Sequence, residues 1–285
     1  MSRFNDAADG WTSQLEWAIQ PVMSVFDTVI AAILPSGLAL ALARRLMKSA
    51  GLGHGGIVAK SGEMKAAAAA LSRAGVQTKT PLLFDVGGNI GEWSLAAKQM
   101  WPSSKIHLFE PSASHLEKLG PAFAGLDGIT VNPVALGAEA GEATLYKDTE
   151  ITGLASMTKR DLGHIGLSMD LRETILVDTL DQYCARHGIA AIDMLKIDVE
   201  GHELDVLKGG VTMLDQRKIA AVQFEFGGCN VDTRTFFRDF FDFFDRRGYA
   251  LFIIGPGGQL NPVRRYREFN EQFSTTNYIA IRRGK

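Results

Sequence analysis

The chain has 285 residues, 46% hydrophobic and 22% charged, with a formal net charge of -2. That length holds one large domain, or one domain with a small appendage, and no basic field points to a nucleic-acid partner. Cys184 and Cys229 are the only cysteines; they suggest neither a disulfide framework nor a zinc knuckle, and they fit a reducing cytoplasm.

Residues 1–80 read as a helical extension. Asp6 and Asp9 stand where a signal peptide would be positive. Residues 11–34 are apolar on most faces and are expected to be buried. Pro35-Ser36-Gly37 is a break, residues 38–50 a second helix, and the alanine-rich residues 63–73 a third. Residues 28–43 carry no charge and are followed by Arg44, Arg45 and Lys48. This stretch is short for a membrane span. It is expected to pack on the catalytic domain or across a homodimer, with contact to a membrane surface as the alternative.

From residue 81 strands and helices alternate. Strands are predicted at 82–86, 105–110, 129–134, 192–198, 219–226, 249–254 and 277–282, and helices at 92–100, 112–123, 178–187, 203–214 and 235–246. Two more strands, 142–147 and 172–177, read as a pair inserted before the fourth strand; the small polar segment between them at 152–157 is expected either to line a substrate entrance or to be a mobile loop with no role. The fold class is α/β: a seven-stranded, mostly parallel sheet formed by a domain over residues 81–285. The phenylalanines of 235–246 exceed what one buried face needs, which suggests burial on two sides or an oligomer contact.

Three stretches carry chemistry. The first, residues 81–91, reads P-L-L-F-D-V-G-G-N-I-G: an apolar strand, an acid, then a glycine turn that lets backbone approach a ligand. It fails the G-x-G-x-x-G dinucleotide pattern, because Val86 stands where the first glycine is needed. Asp85 would serve a phosphate poorly and a cationic amino-acid end better. The second, residues 106–111, reads I-H-L-F-E-P. Glu110 lies about twenty residues past the last glycine, where an acid meets a ribose diol, and a carboxylate accepts two hydroxyl hydrogen bonds. The third, residues 194–209, reads M-L-K-I-D-V-E-G-H-E-L-D-V-L-K-G and holds the densest polar cluster, Asp198, Glu200, His202 and Glu203.

Together these stretches resemble the FkbM family of S-adenosylmethionine-dependent methyltransferases, of the Rossmann-like class, over roughly residues 82–281. The resemblance implies a last strand antiparallel between the fifth and sixth. It implies S-adenosylmethionine as cofactor, held by Asp85, Gly87, Gly88, Asn89, Gly91, Glu110 and Pro111, with Ala135 beside the adenine. Gly88 departs from the alanine or other small residue common there. Transfer is expected to a hydroxyl of a sugar, glycan or secondary metabolite, with Asp198 between cofactor and acceptor. His202 is the natural base by its ordinary pKa; relatives need not carry it, and a plain helix-start residue is the alternative. Glu200 shares the turn, and Glu225, closing the fifth strand, is a further acceptor residue. Lys196 shares a strand face with Asp198 and should pair with it or with Glu225. Asp198, Glu200 and His202 offer metal donors, but no second matching cluster is evident, so no metal is expected. Arg264, Arg265 and Arg267 form a solvated loop or an anion clamp. The rival readings are a nicotinamide-dependent oxidoreductase and a non-catalytic scaffold that binds S-adenosylmethionine or a membrane.

Overall fold

The structure, a computed structural model, describes residues 34–56 and 58–284. The short apolar runs bounded by turn residues become strands buried on both faces, and the amphipathic segments between them become the covering helices. The main sheet contains β1 (Leu82–Val86), β2 (Lys105–Phe109), β3 (Ile129–Asn132), β7 (Ile192–Ile197), β8 (Ile219–Phe226), β9 (Tyr249–Ile254), β10 (Leu260–Val263) and β11 (Thr276–Arg282). Their spatial order is β10-β9-β11-β8-β7-β1-β2-β3. Neighbours from β3 through β8 pair in parallel, and β11 runs antiparallel between β8 and β9, as the resemblance implies.

The strand count is corrected from seven to eight. The added strand, β10, pairs antiparallel with β9. Its Leu-Asn-Pro-Val sequence does not read as a strand, but a proline is tolerated where no inner neighbour needs its missing N–H. The inserted pair is present as β5 (Gly141–Lys147) and β6 (Leu171–Asp178), antiparallel, and joins β4 (Ala135–Leu136) in a separate three-stranded sheet.

Among the helices, α1 (Ser36–Ser49) leaves Leu38, Leu40, Leu42 and Leu46 exposed. The predictions for residues 1–33 lie outside the described residues, and with them much of the apolar stretch at 28–43. Among the described residues no helix is long and apolar enough to cross a membrane.

One compact unit begins at Lys48, with residues 34–47 falling in another, so the boundary expected at residue 80 moves back. The reason is α2 (Glu63–Arg73). It lies against β8 and β11, buries Ala66, Ala67, Ala70 and Leu71, and presents Glu63 as acceptor to Gln223 (2.6 Å) and Asn277 (3.0 Å). The helix predicted at 203–214 is two, Glu203–Gly209 and Val211–Asp215. They divide at a glycine pair where a Cβ on Gly209 would stand 2.0 Å from the Gly137 carbonyl oxygen. In helix Phe237–Asp245, Phe237, Phe240 and Phe244 fill the core while Phe236, just before it, is exposed.

Candidate functional site

The sheet register builds the site's foundation. Pairing of β1 with β7 sets Asp85 opposite Lys196, and both are buried. The Lys196 ammonium stands 3.0 Å from Asp85 Oδ1, close enough for an ion pair though not aligned as a hydrogen bond. It donates to the Gly87 carbonyl at 3.0 Å and lies 3.8 Å from Asp198 Oδ2. Burial alone would lower its pKa, but the carboxylates of Asp85 and Asp198 outweigh burial and hold it above the ordinary lysine value. Ser94 donates to Asp85 Oδ2 at 2.7 Å. Asp85 lines neither of the cavities described below and reaches the glycine turn only through Lys196.

The turn itself requires glycine. Gly87 has φ 76°, and a Cβ there would fall 1.8 Å from the Asp198 carbonyl oxygen. The Gly87 and Gly88 amides both donate to the Phe109 carbonyl at 3.0 Å, fastening the turn to the end of β2. Gly91, with φ 88°, begins helix Glu92–Met100 against Phe123 and stands behind the site.

Two cavities open on this turn. The first is largely apolar, lined by Phe109, Pro111, Ala135, Leu136, Leu145, Met157 and Ile175, with Glu110 and His115 as its polar groups on that side. Glu110 Oε2 accepts the Asn89 amide at 2.9 Å and Oε1 the Ser112 amide at 2.8 Å, so each oxygen keeps a lone pair for a further donor. Burial pushes its carboxyl up to about 7, against the pull of those two amides. These residues fit a nucleoside: a slot for a base, and a carboxylate for a diol.

The second cavity, of about 560 Å³, sets the charged groups Glu63, Lys196, Arg160 and Glu225, with Asn277, among apolar residues that include Val58, Ile90, Trp93 and Leu154. Gly87, Asn89, Gly153, Asp198 and Glu200 line both cavities. Asp198, Glu200 and Glu225 converge here, with one oxygen of each within 4.8 Å of the others. Burial, then repulsion from Asp198, pushes the Glu200 carboxyl up to about 8 despite the Arg160 guanidinium 2.5 Å away. Burial and the other acids likewise hold Glu225 well above the carboxylate range.

His202 lies apart from both cavities. Its Nδ1 meets Asp205 Oδ2 at 3.0 Å and its Nε2 meets the Thr158 hydroxyl at 3.0 Å, so both ring nitrogens are engaged at the start of helix Glu203–Gly209. The His202 hydrogen bond, then Lys208, holds Asp205 down to about 2. Lys196 does pair with Asp198, as the shared strand face suggests, and has no ion pair to Glu225 among the described residues. Arg264, Arg265 and Arg267 lie exposed between β10 and β11, away from both cavities.

The structure brings the segment at 152–157 to the site and adds Arg160 and Glu63, to which no sequence motif points. Between β5 and β6 the chain returns across the site: Thr152 presents its carbonyl to Asn89 and His115, Ser156 donates to the Glu200 carbonyl at 2.8 Å, and Arg160 bridges Glu200 and Asp232. The small polar character of 152–157 was the available signal for that segment. For Arg160 and Glu63 no local signal exists, because their partners lie at distant positions in the chain.

A glycine turn and acids at the carboxyl ends of parallel strands define a nucleotide-cofactor enzyme of the Rossmann-like α/β class. The model of the family described as the methyltransferase FkbM domain matches residues 85–251, more than half of the sequence, and the chain belongs to that family. Membership of this family implies S-adenosylmethionine as the methyl donor. Methyltransferase sdnD of Sordaria araneosa is 28% identical over 155 residues, covering 45% of this chain and 60% of that protein. The 2-O-methyltransferase NoeI of Sinorhizobium fredii is 25% identical over 157 residues, covering 50% and 63%. The 31-O-demethyl-FK506 methyltransferase FkbM of Streptomyces tacrolimicus is 34% identical over 156 residues, covering 45% and 58%. The chain thus spans about three-fifths of the length of these relatives. Among solved structures, human methyltransferase-like protein 13 in complex with SAH aligns with TM-score 0.42 at 13% identity, over 78% of this chain and 82% of that one.

Proposed function

We propose that the chain is an S-adenosylmethionine-dependent O-methyltransferase acting on a hydroxyl of a sugar, glycan or secondary metabolite. The observation that carries this reading is that a cavity ending at Glu110 and a second cavity ending in three acids share Gly87, Asn89 and Asp198. Relatives whose names specify 2-O and 31-O positions favour oxygen as the acceptor atom.

In this reading Glu110 takes the ribose hydroxyls, and Pro111, Ala135 and Leu136 flank the base. Bound S-adenosylmethionine supplies an electrophilic methyl group on a sulfonium. Asp198 and the turn backbone keep the acceptor hydroxyl in line with that methyl, which reduces the entropic part of the barrier. Methylation turns the acceptor hydroxyl into an ether and the sulfonium into a neutral thioether, and the acid cluster would take up the proton that the hydroxyl gives up. Asp85 and Lys196 act beneath the turn as its support, and His202 supports helix Glu203–Gly209. The buried thiols of Cys184 and Cys229 are compatible with a cytoplasmic setting.

Isothermal titration with S-adenosylhomocysteine and with NAD tests the reading. The expected result is binding of the first alone, weakened at least about tenfold by Glu110→Ala, since hydrogen bonds to a charged group contribute about 1.5–3 kcal/mol. Folded protein that ignores S-adenosylhomocysteine at millimolar concentration refutes it.

A further inference from the structure

Glu225 is a buried acid without a partner. Its residue is 9% exposed, and among the described residues no hydrogen bond or ion pair reaches its carboxylate. Burial of a lone carboxylate is costly, and here two more carboxylates face it. The nearby cations are committed elsewhere. Arg160 holds Glu200 through Oε2 and reaches back to Asp232. Lys196 serves Asp85 and the Gly87 carbonyl, and stands 3.8 Å from Asp198. A positive charge is the missing component of this cluster.

We propose that Asp198, Glu200 and Glu225 bind one hard divalent cation, Mg²⁺, Mn²⁺ or Ca²⁺, on the wall of the second cavity. The donors are all carboxylate oxygens, the set that selects these ions over softer metals. Their mutual separations stay within 4.8 Å. Two oxygens on opposite sides of a calcium ion lie about 4.6–5.2 Å apart, twice its bond length, and a smaller ion needs only a slight contraction. The donor set differs from the Asp198, Glu200 and His202 grouping that the sequence offers: the fold turns His202 toward Thr158 and Asp205 and brings Glu225 in from β8. Three protein ligands leave coordination positions facing the cavity, where an acceptor's oxygens would complete the shell. That use of the ion rests on the methyl-transfer reading; the ion's binding does not.

The test titrates the full chain with Mn²⁺ and follows the loss of the free-ion EPR signal, with and without S-adenosylhomocysteine. One equivalent should bind with a dissociation constant below about 1 mM, displaceable by Mg²⁺ or Ca²⁺. Glu225→Gln should weaken it more than about tenfold, since even residues that only support a ligand change affinity by that much. Should that variant fail to fold, Asp198→Asn takes its place, and a rise in wild-type melting temperature on adding Mn²⁺ supplies a second readout. Wild-type protein that leaves the free Mn²⁺ signal unchanged, or a folded variant that binds as well as wild type, overturns the proposal. S-adenosylhomocysteine binding in the same samples separates that outcome from failure of the methyltransferase reading.

Discussion

Lys196→Met removes the cation on which the glycine turn rests. Lys196 is 6% exposed and Asp85 0%, and Asp85 lines neither cavity, so water reaches its carboxylate poorly. The variant leaves the Asp85 carboxylate with Ser94 alone, and frees the Gly87 carbonyl that Lys196 bonds at 3.0 Å. Breaking a buried pair from one side costs about 3–5 kcal/mol. At roughly 2–4 °C per kcal/mol for a domain of this size, the midpoint of thermal unfolding should fall by about 6–20 °C. Urea denaturation followed by fluorescence gives the free energy directly. Asp85→Asn in the same chain should recover a large part of the loss, because it removes the charge left unpaired. A single-variant loss below about 1 kcal/mol, or a double variant as unstable as the sum of the singles, refutes the account of Asp85 and Lys196 as the turn's support.

Three further outcomes follow from the site. Gly87→Ala places a Cβ 1.8 Å from the Asp198 carbonyl oxygen at φ 76°; S-adenosylhomocysteine affinity should fall more than about tenfold, with unfolding about 1–3 kcal/mol easier. Glu110 titrates near 7 because it is buried, and its charged form best accepts diol hydroxyls. Affinity for S-adenosylhomocysteine should therefore drop about tenfold from pH 8 to pH 6, and Glu110→Gln should flatten the profile. Its neighbour His115, 4.0 Å away, is held below the usual histidine value by burial and stays neutral through most of that range; Lys196 and Asp85 act on Glu110 only at longer range. For folding, this raised carboxyl acts with the opposite sign: stability is greatest below the unfolded value of about 4.5 and falls as pH rises to 7. His202→Ala should cost about 1 kcal/mol of stability through its two lost hydrogen bonds, while kcat changes less than about fivefold; a loss of a hundredfold would return His202 to the catalytic set.

Periodicity and punctuation in the chain were enough to identify the alternating strands and helices, the inserted pair and the glycine turn, because these depend on local composition and spacing. The family motif likewise points to Glu110 and Ala135, which follow their strands within a few residues. Register and long-range closure are different. The pairing of β1 with β7 makes Asp85 a support for the turn, and no short motif carries that pairing. The return of the inserted segment across the turn brings Arg160 to Glu200, forty residues on, and α2 delivers Glu63 to Gln223 and Asn277. The same closure turns His202 toward Thr158 and Asp205 and brings Glu225 into the second cavity. Local sequence set which residues stand at strand ends; tertiary packing alone decided which of those ends share a cavity, since a side chain's partners depend on strands and loops far away in the chain.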